Sequence, residues 1–197
     1  METLINTSGK LTKKIIGQPA FKVFPEPARQ EYIEVEPNVR LHVNDAGEGR
    51  PIVLIPGWPL SDEMYEYQYN VLINKNFRVI GITLRGFGKS DKPYGAYNYD
   101  VHALDIKKIL DKLAIKDAVL AGDTDLRNDL RKINIPTVIM HGKKDKICSF
   151  DLAKQMKIGI SDSHIVAFEN SGHSLFLEET HKFNAELIKF AGNDLNG

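Results

Sequence analysis

Between residues 52 and 169 the chain alternates short β-type runs with stretches of helical spacing. The runs are IVLI (52–55), FRVIGITL (77–84), DAVLAG (117–122), IPTVIMHG (135–142) and HIVAFE (164–169). The first of these is unbroken apolar sequence, and the absence of in-and-out alternation suits a strand covered on both faces. Strands alternating with helices imply an α/β fold, a mostly parallel sheet wrapped by helices. Ahead of them, YIEVE and VRLHVND meet at Pro37-Asn38, which predicts a hairpin. Ser61-Asp62 opens a predicted helix reaching about Asn74, with Ser61 placed to cap it. Asp100 is placed to cap a second helix, on which Val101, Leu104, Ile109, Leu110 and Leu113 share one face. Further helices are expected from about Phe150 and over about Leu175 to Ala191. In such sheets the working residues collect in loops at the carboxyl ends of the strands.

A length of 197 residues with 42% apolar content accommodates one sizeable core. The domain is expected over residues 29–197. Residues 1–28 lack sustained periodicity, end in FPEPAR and are expected to form an N-terminal arm. Lys and Arg together number 26, as do Asp and Glu, so charge gives no pull toward nucleic acid or an anionic membrane, and neither is expected as a partner. A single cysteine, Cys148, rules out an internal disulfide and fits a reducing compartment. The N-terminus has no apolar h-region, so the expected location is cytoplasmic. Oligomeric state is left open.

Four loops lie at the ends of these runs. Pro56-Gly57-Trp58-Pro59 is a tight turn that can present a backbone N–H to a crevice, as an oxyanion-hole donor is presented. It reads equally as a strand-to-helix turn. Gly88-Lys89-Ser90 invites comparison with a phosphate-binding loop, but that motif requires glycine where Thr83 stands and a helix where Asp91-Lys92-Pro93 continues the loop. A structural loop is expected instead. Asp145 lies just beyond the run ending HG (141–142), and His173 lies between the last run and the last helix. Each alone reads as an ordinary loop residue. Consecutive parallel strands would bring the two together, and a carboxylate beside an imidazole fixes its tautomer for general base work.

Taken in order, IPGWPLS (55–61), LRGFGKSDKP (84–93), HGKKD (141–145) and SGHSLFLEE (171–179) resemble the α/β-hydrolase family, in its cofactor-free haloperoxidase and esterase-like branch. The resemblance covers about Glu31 to Ala191. It implies that Trp58 offers an oxyanion N–H, Asp145 is the acid of a catalytic triad and His173 is its general base. The implied chemistry is acyl transfer on a small ester or acyl substrate, and it needs no metal or other cofactor. Two positions depart from that branch: Pro56, where histidine is common, and Thr83-Leu84, where aspartate is common.

The larger departure comes after Gly122. There the family runs into Gly-x-Ser-x-Gly, a strained turn that exposes a nucleophilic serine. Here the chain continues Asp123-Thr124-Asp125-Leu126, and the motif occurs nowhere in the sequence. The stretch TDLRNDLRKINIPTVI (124–139) resembles the part of the family that lies beyond the lid and leads to the acid-bearing strand. The sequence therefore reads as truncated internally at about residues 122–123, without the elbow, its helix, one central strand and the lid. The strands at 117–122 and 135–141 would then pair directly, joined by one short helix. Thr124 stands at the nucleophile's spacing, but Leu126 replaces a glycine that the elbow needs, so it is a weak candidate. Cys148 is another, provided its loop folds back toward His173. Two functions stay open: an impaired ester hydrolase, or a non-catalytic remnant or binding protein on a hydrolase scaffold.

Overall fold

A computed structural model describes residues 4–5, 11–12, 28–57, 59–95, 97–122 and 130–192. Two short strands, β1 (Leu4–Ile5) and β2 (Leu11–Thr12), pair antiparallel within the expected arm. The main sheet is built from β3 (Ala28–Glu36), β4 (Val39–Ala46), β5 (Arg50–Ile55), β6 (Phe77–Ile82) and β7 (Val119–Gly122). Its order is β3-β4-β6-β5-β7. The β3–β4 hairpin turns at Asn38, whose φ of 64° is the left-handed conformation that asparagine tolerates. β4 also runs antiparallel to β6, whereas β5 is parallel to both β6 and β7. β8 (Thr137–Gly142) and β9 (Ser163–Phe168) form a separate parallel pair.

Helices cover both faces. They are α1 (Glu66–Ile73), α2 (Tyr99–Lys112), α3 (Phe150–Gly159), α4 (Leu175–Glu178) and α5 (Thr180–Gly192). Side chains alternate along a strand, so one run serves two cores. Ile52 and Leu54 pack with Tyr69 and Leu72 of α1 and Leu187 of α5, while Val53 packs with Ile80, Ile82 and Ile109 of α2. All three β5 residues are fully buried, as the unbroken IVLI requires. Each such side chain contributes about 1.5–3 kcal/mol through burial. Met140 of β8 packs against the first of these clusters, so β8–β9 shares a core with the main sheet without joining its ladder.

Direct pairing of 117–122 with 135–141 is therefore not what forms. Among the described residues β7 hydrogen-bonds β5 alone and β8 hydrogen-bonds β9 alone, leaving the ladder broken between them. The strands beside the break are thinly covered. Leu120 is 52% exposed and Ile135 60%, since no strand or helix among the described residues covers them. Of the connection, Leu130–Lys132 forms a single 3₁₀ turn, and residues 123–129, with Thr124, lie outside the described residues.

Three expected caps and boundaries also move. Ser61 makes no side-chain cap, and a 3₁₀ turn over Asp62–Tyr65 precedes α1, because Asp62 turns inward to buried donors. Asn98, not Asp100, caps α2 by accepting the Val101 N–H at 2.9 Å, and Leu104 on the expected apolar face is half exposed. The last helix breaks at Glu179, whose carboxylate reaches back to the Asn170 N–H.

Candidate active site

β8 and β9 lie side by side and in register, so the loops leaving their carboxyl ends meet. Two backbone bonds join them, Lys143 N–H to Phe168 O and Lys144 N–H to Ser171 O, while Asp145 N–H to Gly142 O closes the turn after β8. The approach is close enough that a Cβ at Gly142 would sit 2.1 Å from Gly172 O and 2.5 Å from Ser171 O. Only glycine fits there.

This contact sets Asp145 against His173. Asp145 Oδ2 and His173 Nδ1 are 2.9 Å apart, and Asp145 Oδ1 accepts the N–H groups of Ile147 at 2.8 Å and Cys148 at 2.9 Å. The Asp145 side chain is 4% exposed and that of His173 is 38% exposed. Burial would raise the Asp145 carboxyl, but the Cys148 N–H, the His173 ring and the Ile147 N–H together hold it below the usual aspartate value. An ionised carboxylate at this distance selects, for the neutral ring, the tautomer with the proton on Nδ1 and the lone pair on Nε2, which is the form a general base needs. The structure thus brings together the two residues expected as acid and base.

Two further carboxylates hold the histidine loop. Glu178 accepts the N–H groups of Gly172 and Ser174, the residues flanking His173, at 2.8 and 3.2 Å. Glu179 accepts the Ser171 hydroxyl at 2.6 Å and the Asn170 N–H at 3.1 Å. The sequence signal was the LEE that ends SGHSLFLEE, two acids just past the histidine and able to reach back over one helical turn.

Cys148 joins the dyad. The bonds from Ile147 and Cys148 to Asp145 Oδ1 fold the loop back, which is the condition its candidacy required, and one donor atom each of Asp145, Cys148 and His173 lies within 4.8 Å of the other two. Trp58 lies outside the described residues, as does Thr124. Nearby, Leu60 N–H donates to Gly57 O at 2.8 Å.

The loop after β6 is locked into the scaffold. Arg85 is buried with both ends of its guanidinium on Asp105 at 2.6 and 2.7 Å and on Glu36 at 2.9 Å, and Lys89 pairs with Glu63 at 2.8 Å. Ser90 Oγ accepts the His42 N–H and donates to Thr83 O. These bonds fit the structural loop expected of residues 84–93. Beneath it, Thr83 donates to the buried Asp62, which also accepts from Asn44 and Tyr69. A threonine at this departure from the family pattern is thus a donor to a structural carboxylate.

Comparison with known proteins agrees with this geometry. The family profile described as alpha/beta hydrolase fold matches residues 50–123. The AB hydrolase superfamily protein YisY of Bacillus subtilis is 29% identical over 265 aligned positions, covering 82% of this chain and 99% of that protein. Since 82% of 197 residues cannot fill 265 positions, about 100 of them face a gap in this chain. A non-heme chloroperoxidase of Kitasatospora aureofaciens is 33% identical over 82 residues, which is 42% of this chain and 30% of that protein. The chain thus spans under a third of this relative. An esterase from Exiguobacterium antarcticum superposes with a TM-score of 0.75 at 25% identity, covering 79% of this chain and 96% of that one. The chain belongs to the α/β-hydrolase family. Within it, the haloperoxidase and esterase-like branch is where its relatives and its fold place it.

Proposed function

We propose that this chain is a hydrolase scaffold for ester or acyl chemistry that retains the acid–base pair and has lost the serine nucleophile with its elbow, so that it turns over esters feebly or not at all. The observation that carries the reading is the aligned Asp145–His173 pair, 2.9 Å apart, in a chain with no Gly-x-Ser-x-Gly after β7. The gap of about 100 positions against YisY and the family match ending at residue 123 support an internal loss beginning there. With a serine restored, His173 would take its proton and return it to the leaving group, Asp145 would hold the ring and the Trp58 N–H would steady the oxyanion. The second oxyanion donor normally comes from the residue after the serine, and each donor is worth roughly 3–4 kcal/mol of barrier. The lid would have walled the substrate pocket. Small acyl compounds are the substrate class, and no nucleic acid or membrane enters the reading.

The test is hydrolysis of an activated aryl ester by the purified, folded chain beside its His173→Ala variant. The reading predicts that the two rates agree within about twofold. A rate that falls a hundredfold or more on removing His173 would show a working base and overturn it.

A further inference from the structure

The bonds from two backbone N–H groups to Asp145 Oδ1 carry the chain's one cysteine to the side of the dyad. A carboxylate oxygen, a sulfur and an imidazole nitrogen consequently lie within 4.8 Å of one another. We infer that Asp145, Cys148 and His173 form a three-ligand site for one zinc-type divalent transition ion. This inference does not depend on the reading above, since a metal site needs neither a nucleophile nor turnover.

The distances suit such an ion. Zinc bonds of about 2.0–2.3 Å in tetrahedral geometry separate neighbouring ligand atoms by about 3.3–3.7 Å. The Nδ1–Oδ2 separation of 2.9 Å is already near that edge. The cluster therefore contracts by about an ångström at its widest, which rotation of the Cys148 side chain can supply. Donor chemistry narrows the choice of ion. A thiolate and an imidazole favour zinc or cobalt over magnesium or calcium, and thiolate plus carboxylate balance a charge of two. On binding, the sulfur–metal bond replaces the sulfur–hydrogen bond and the thiol proton leaves to solvent, while the Nδ1 proton shared with Asp145 passes through solvent to Nε2 so that the Nδ1 lone pair can bind the ion. Three protein ligands leave a fourth position for water, and the His173 side chain is 38% exposed, so the site opens to solvent.

The surroundings hold the ligands in place. Asp145 is held by two backbone donors and the His173 loop by Glu178 on both sides. Two lysines of the acid loop are engaged elsewhere. Lys143 Nζ lies 4.3 Å from the Phe150 ring centre and 3.9 Å from Glu169, and Lys144 Nζ donates to Asn170 Oδ1 at 3.3 Å.

Titration of the full chain with Co²⁺ reads the site directly. One equivalent should bring up a thiolate-to-cobalt charge-transfer band in the near ultraviolet, with visible bands of tetrahedral strength, and Zn²⁺ should abolish both. Cys148→Ser should remove the charge-transfer band, and His173→Gln should weaken binding at least tenfold, with circular dichroism showing both variants folded. Zn²⁺ should also slow alkylation of Cys148 by iodoacetamide at least tenfold. A folded chain that gives no thiolate band, or a Cys148→Ser variant that binds Co²⁺ with the same spectrum, overturns the inference. So does a thiol whose alkylation rate ignores Zn²⁺.

Discussion

Asp62 has no exposed surface, yet its carboxyl is held below the usual aspartate value. Burial is the largest influence and pushes upward, but His42, Thr83, Asn44 and Tyr69 together outweigh it. A carboxyl depressed by folding adds stability that is complete above the unfolded value of about 4 and is lost as pH falls through the lower folded value. The urea midpoint should therefore drop as the solution is acidified below about pH 4. Asp62→Asn should flatten that limb and cost about 2–4 kcal/mol at neutral pH, since an amide turns donors toward donors. Gly142→Ala should cost a similar amount by driving a Cβ into Gly172 O, and should spread the two loops. Loss of the low-field Nδ1 proton signal of His173 would report that spreading. Asp145 and His173 were legible in the sequence because strand order alone brings their loops together. Asp62 was not, and Cys148 was legible only on the condition that its loop folds back, because residue type does not say which way a turn faces a side chain.

At the scale of elements, runs such as IVLI announced their strands through burial on both faces. The break between β7 and β8 was not legible. Apolar content marks a strand but not its neighbour, and a twelve-residue connection only just permits a parallel crossover. The same limit applies to the last helix, whose apolar spacing runs on through the interruption that Glu179 makes by binding Asn170 and Ser171. The break makes local stability uneven. Hydrogen exchange should find the β5 and β6 amides most protected and those of β7, β8 and β9 exchanging faster, as strands with one hydrogen-bonded neighbour among the described residues. Equal protection across all five would contradict the broken ladder. Ile52→Ala should cost about 2–5 kcal/mol, whereas Leu120→Thr on exposed β7 should stay within about 0.5 kcal/mol by urea denaturation.

For the molecule as a whole, the main sheet, the β8–β9 pair, two cores and the paired Asp145 and His173 hold together across a broken ladder. β8–β9 stays attached through Met140 and α5, so the dyad keeps its geometry although the ladder beside it is interrupted. The geometry of the Asp145–His173 pair thus does not depend on a continuous ladder beside it. The most direct measurement is the intact mass of the folded chain after incubation with a fluorophosphonate, a reagent that reacts fastest with an activated hydroxyl nucleophile. The account predicts an unshifted mass. A single stoichiometric adduct, lost in the His173→Ala variant, would contradict it.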